Sequence, residues 1–100
     1  MPDQYDVEIT TEARRDLRRI YNVIAKRSPR IASRMLGRLL GACASLDLAP
    51  QRHAIPRTGS TRGRNIRAMP LWPYIIRYRI DESHRMVFVM HVRHGARRKP

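Results

Sequence analysis

The sequence predicts an α+β domain: an N-terminal strand, an antiparallel two-helix hairpin, then a three-stranded antiparallel meander, with the helices packed on one face of the sheet. Three observations carry that expectation. A period-two stretch comes first, two stripes of apolar residues at helical spacing follow, and three segments rich in β-branched and aromatic residues come last. At 100 residues the chain has the size of one domain, 1–100.

In "YDVEI", Tyr5, Val7 and Ile9 alternate with Asp6 and Glu8, the pattern of a half-buried strand. Thr10 or Thr11 offers a hydroxyl to cap a helix, and Glu12 suits the positive end of its dipole. Ala13, Leu17, Ile20 and Ile24 then form one helical stripe, with Arg14, Arg15, Arg18 and Arg19 off it. "SPR" marks a boundary, since Ser28 can cap a second helix and Pro29 fits its first position. Ala32, Met35, Leu36, Leu39, Leu40, Cys43 and Leu46 make the second stripe, and the tight "KRSPR" joint sets the two helices antiparallel.

From Ala49 to Gly63 the chain lacks periodicity and reads as a surface loop. "RNIRAM", "PYIIRYRI" and "MVFVMHV" are the strands after it, with "DESH" as the turn between the last two. Alternation puts Tyr74, Ile76, Tyr78 and Ile80 toward the helices, with Ile66 and Ala68, and with Met86, Phe88, Met90 and Val92. The opposite face then collects Arg67, Arg77, Arg79, His91 and Arg93.

Charge narrows the function. Against 8 Asp and Glu stand 21 Lys and Arg, a formal net charge of +13. Residues 51–100 hold twelve basic residues and only Asp81 and Glu82 as acids, so the positive field lies mainly there. A polyanion or an acidic protein is the expected partner. Arginine dominates, with Lys26 and Lys99 the only lysines, which suits bidentate contacts to phosphate or carboxylate. A lone Cys43 excludes an internal disulfide and a thiolate zinc site, and points to a reducing, cytoplasmic setting. No stretch approaches the about 20 apolar residues of a membrane span.

A metal-dependent nuclease needs convergent carboxylates, and the second half has only an adjacent pair in a turn. Neither a metal nor another cofactor is expected. Metal-free RNA cleavage using the 2′-hydroxyl needs only a proton-transfer group and cations on the phosphate. His91 or His94 can serve the first need, and Arg67, Arg77, Arg93 or Arg97 the second. Each histidine also has a plain reading, as a polar residue on an exposed face or at a strand end. Aromatic platforms for single strands are lacking, because Tyr74 and Tyr78 fall on the core face. A helix-turn-helix reader is disfavoured, because both helical stripes are needed for the core.

The order and spacing of "VEITTEARRDLRRIYNVIAKRSPRIA", "NIRAMPLWPYIIRYRID" and "VMHVRHGARR" resemble the RelE/ParE superfamily of toxins from type II toxin–antitoxin modules, over nearly the whole chain. The resemblance implies a small α+β toxin held inactive by a cognate antitoxin, whose acidic segment folds on it. It also implies one of two targets. RelE-like members cut mRNA on the ribosome without metal, whereas ParE-like members inhibit DNA gyrase. Carried over residue by residue, Arg67 matches a basic residue of the ribonuclease pattern and Arg97 the arginine after its last strand. Two departures count against cleavage: Tyr74 is followed by Ile75 where an arginine is expected, and the tyrosine near the end of the pattern has no counterpart in "RRKP". His91 and His94 could replace that tyrosine. The ParE-like reading is therefore preferred, with Arg77, Arg79, Arg93, Arg97, Arg98 and Lys99 as target-binding residues. The RelE-like nuclease using His91, His94, Arg67 and Arg97 is the alternative, and a non-toxic nucleic-acid or ribosome-binding module is a third.

Overall fold

A computed structural model describes residues 4–55 and 65–95. Strand β1 (Asp6–Ile9) leads into helix α1 (Thr11–Ala25) and helix α2 (Pro29–Ala44). Short 3-10 turns at Ser45–Asp47 and Pro50–Arg52 follow, then β2 (Ile66–Leu71), β3 (Tyr74–Asp81) and β4 (Met86–His94). Both helix starts are capped as the sequence expects: Thr10 accepts the Ala13 N–H and Ser28 the Ile31 N–H, with Pro29 in the first turn of α2.

The sheet order is β1-β4-β3-β2. The last three strands form the expected antiparallel meander, and β1 pairs parallel with the first half of β4, Val7 opposite Val87 and Ile9 opposite Val89. The helical hairpin covers one face. Tyr78, Ile76, Leu39, Leu46, Val87, Val89 and Val92 form the fully buried centre beneath it.

Two strand faces differ from the sequence expectation. In β4, Val87 and Val89 point to the helices, while Phe88 lies on the other face under the Arg79 guanidinium, 5.0 Å from its ring centroid. The cause is a β-bulge: Arg77 pairs with His91 but Tyr78 with Val89, so Met90 is an extra residue that reverses the alternation. Val92 is then buried as expected, and His91 and Arg93 point away from the core. In β2, Met69 opposes Ile76 and is buried with it, which places Arg67, opposite Tyr78, on the helix-side face. Ile66 and Ala68 oppose Arg79 and Arg77 on the other side.

Candidate functional site

The open face is built from cross-strand neighbours, which share a face of the sheet. Its centre carries Arg77 opposite His91, Arg79 opposite Phe88, and Ile75 opposite Arg93. Asp6 and Glu8 of β1 project beside Met86 and Phe88 on the same side, giving the basic centre an acidic margin. The Arg79 guanidinium lies over the Phe88 ring, a cation–π contact that ties one cation to the sheet.

A buried carboxylate anchors the C-terminal half of β4. β1 stops at Ile9, so beyond Val89 the edge of β4 has no strand neighbour, and α1 takes its place. The Thr10 hydroxyl donates to the Val89 carbonyl at 2.8 Å, and Asp16, only 4% exposed, accepts the Val92 N–H at 2.9 Å. The other Asp16 oxygen takes a hydrogen bond from Arg19 at 3.1 Å. Arg93 Nε and His91 Nδ1 stand 3.6 and 3.8 Å from the same carboxylate, and an Arg93 nitrogen lies 3.1 Å from His91 Nδ1. Glu12 reaches within 3.8 Å of His91 Nε2. Asp16 was not a sequence candidate, although its place three residues after Ala13 and four before Ile20 puts it inside the α1 stripe.

The other candidates lie elsewhere. His94 opposes Tyr74 on the helix side, its ring edge-on at 5.4 Å, so His91 and His94 occupy opposite faces of β4. Arg67 donates to the Gln51 and His53 carbonyls at 3.3 and 2.7 Å, fastening the segment after α2 onto β2. Beside it the Tyr78 hydroxyl donates to the Pro50 carbonyl; burial pushes this phenol upward, with Arg67 and Arg52 pulling the other way. Burial, with the neighbouring Arg52, lowers His53. Arg97, Arg98 and Lys99 lie outside the described residues. Among the described residues no group of three His, Cys, Asp or Glu side chains is placed to hold a metal ion, and no helix is long and apolar enough to cross a membrane.

Two concavities flank the sheet. A cleft of about 620 Å³ runs between α1 and the ends of β3 and β4, with Arg19, Arg77, Arg93 and His94 among apolar walls. A shallower groove of about 350 Å³ lies between the helices; Ile9, Leu17, Tyr21, Leu36 and Leu40 line it and Arg14 and Arg18 rim it.

Comparison with known proteins agrees with this architecture. The family model described as ParE toxin of type II toxin-antitoxin system, parDE, matches residues 7–99. A chain of the chromosomal ParDE TA system from P. aeruginosa superposes with a TM-score of 0.75 at 16% identity, covering 92% of this chain and 97% of that one. A chain of the toxin-antitoxin complex RelBE2 from Mycobacterium tuberculosis superposes with a TM-score of 0.64 at 29% identity, covering 91% of this chain and 98% of that one. No curated protein matches by sequence. With that match across the α1–β4 framework, the chain belongs to the ParE toxin family of type II toxin–antitoxin systems, within the RelE/ParE superfamily.

Proposed function

We propose that this toxin arrests growth by binding DNA gyrase, through the open sheet face at Arg77, Arg79 and Arg93 together with Arg97, Arg98 and Lys99. The observation that supports this reading is the separation of the groups a nuclease would need: His91 and His94 lie on opposite faces of β4, and Arg67 is bound to loop carbonyls on the helix side. A contact surface, by contrast, needs only cations presented on a rigid sheet, here the exposed Arg93 beside the half-buried Arg77 and Arg79. A cognate antitoxin neutralises the toxin. Its acidic segment suits the net charge, and an amphipathic helix suits the apolar groove between α1 and α2 with its Arg14 and Arg18 rim. That the M. tuberculosis relative is a toxin-antitoxin complex supports an antitoxin partner. Action in the cytoplasm follows from such a target.

The RelE-like alternative draws on one cluster, His91 held by Arg93 with Arg77 across the strand pair. It predicts cleavage of ribosome-bound mRNA, lost in His91→Ala, with His94→Ala and Arg67→Ala testing the other candidates. Induction without antitoxin, with DNA, RNA and protein synthesis followed separately, separates the readings. DNA synthesis failing first supports gyrase; protein synthesis failing first with cut transcripts overturns it.

A further inference from the structure

We propose that the outer face of α2 is a second contact surface, which binds the phosphate backbone of duplex DNA. Between Asp16 and Asp47 the chain carries seven basic residues and no acidic one. Three of them, Arg30, Arg34 and Arg38, recur every four residues and so share one face of α2, about 6 Å apart along its axis. All three are exposed, and among the described residues none of their side chains has a hydrogen-bond or ion-pair partner. Like charges at this spacing weaken a helix, and α2 has no acid in its first turn to offset them.

The residues between the arginines sharpen the choice of partner. Ser33, Gly37 and Gly41 are exposed on the same face, and a Cβ on either glycine would meet nothing within 4 Å. Packing within the chain therefore does not call for glycine, which costs helix stability relative to alanine. The face is a row of cations separated by residues too small to hold a partner away. A protein partner would want a cluster of apolar or aromatic anchors, and beside the row stands one exposed apolar side chain, Ile31, without an aromatic among Arg30, Ser33, Arg34, Gly37, Arg38 and Gly41. Insertion into a lipid surface would want a continuous exposed apolar stripe, whereas the α2 stripe is buried around Ala32, Leu39 and Cys43 and its exposed apolar residues, Ile31 and Leu40, stand on opposite flanks of the arginine row. A phosphodiester backbone asks only for cations and close approach. DNA rather than RNA is chosen because the gyrase reading places the toxin beside DNA, and to that extent the inference rests on it. α2 belongs to the layer covering the opposite side of the sheet from Arg77 and Arg79, so gyrase and DNA could be held at once.

The test is fluorescence anisotropy of a labelled duplex of about 20 base pairs, titrated with the full chain between roughly 50 and 200 mM salt. Arg30→Gln/Arg34→Gln/Arg38→Gln should weaken binding at least about tenfold and reduce the slope of log affinity against log salt by about 2.7, three phosphate contacts' worth. Gly37→Glu, which adds a repelling charge in open space, should weaken binding in the same direction. Arg15→Gln, an exposed arginine of α1 outside both the α2 row and the open sheet face, should stay within about twofold of the parent. Circular dichroism establishes that each variant keeps its helices. Wild-type affinity in the triple variant, or displacement of DNA by polyglutamate or anionic vesicles at equal charge, overturns the proposal. Equal affinity for duplex RNA overturns the choice of DNA. Gyrase is absent from this assay, so failure of the gyrase reading would appear in supercoiling and not here.

Discussion

Replacing Asp16 by alanine removes the acceptor that ties β4 to α1. The Val92 N–H it leaves behind is buried and has no strand neighbour on that side, so it loses a charged acceptor and keeps no substitute. A buried donor left unpaired costs about 1–3 kcal/mol. The ion pair adds little, because the Arg19 side chain is 66% exposed and water screens it, which limits its share to about 0.5 kcal/mol. Asp16→Ala should therefore destabilise by about 2–3 kcal/mol, and for a domain of this size that lowers Tm by roughly 8–20 °C. Asp16→Asn keeps an oxygen at the same place and should cost about 1 kcal/mol, for the lost charge near Arg19 and Arg93. Urea unfolding of the two variants, with Arg19→Ala as reference, gives the comparison. Equal losses for Asn and Ala, or a loss below about 0.5 kcal/mol for Ala, would refute the claim that a hydrogen bond and not an ion pair anchors the strand.

Arg67→Ala should cost about 1–2 kcal/mol through its two lost carbonyl contacts and speed hydrogen exchange at the Arg52 amide while growth inhibition survives; loss of toxicity at full stability would restore Arg67 to the site. Tyr78→Phe should cost about 1–2 kcal/mol, read by chemical denaturation, since it orphans the Pro50 carbonyl. Because burial raises the Tyr78 phenol in the folded state, the stability tied to its neutral form is full below about pH 10 and is lost as pH rises through the folded value. Alkaline unfolding should therefore begin later in Tyr78→Phe than in the parent, relative to each protein's neutral-pH stability. Gly95→Val should change the emission of Trp72, the only tryptophan, because a Cβ there lies 3.1 Å from its ring and 3.2 Å from Ile75. With that ring 68% exposed and free to give way, stability should fall by less than about 1 kcal/mol; an unchanged spectrum would contradict the contact.

The helices were legible because their signals are local: Thr10 and Ser28 at the caps, Pro29 at the first turn, and apolar residues recurring every three or four positions. β3 was legible for a related reason, since its arginines alternate with tyrosine and isoleucine and fix its faces. β4 was not. "MVFVMHV" is apolar at both parities, so one inserted residue at Met90 reverses the face of Phe88 with no trace in the pattern. β2 fails likewise, because Ile66, Ala68 and Met69 allow either phase until pairing with Ile76 selects one. The parallel seat of β1 beside β4 depends on residues about eighty positions apart. Among site residues, Arg77, Arg79, His91 and Arg93 came out on the open face as expected. Arg67 was expected on the open face and Asp16 drew no reading, since a guanidinium bound to loop carbonyls and a carboxylate bound to a strand edge look like any other charges until the tertiary partners are known.

The central claim is that the open basic face acts by contact on gyrase. Supercoiling of relaxed plasmid by purified gyrase tests it most directly, with the parent toxin, His91→Ala/His94→Ala, and Arg77→Glu/Arg79→Glu compared at equal folded concentration. The account predicts inhibition by the parent and by the histidine double variant, and its loss when the two arginines are reversed in charge. Undiminished supercoiling at micromolar excess of parent toxin, with ribosome-bound mRNA cut in a parallel reaction, would contradict it.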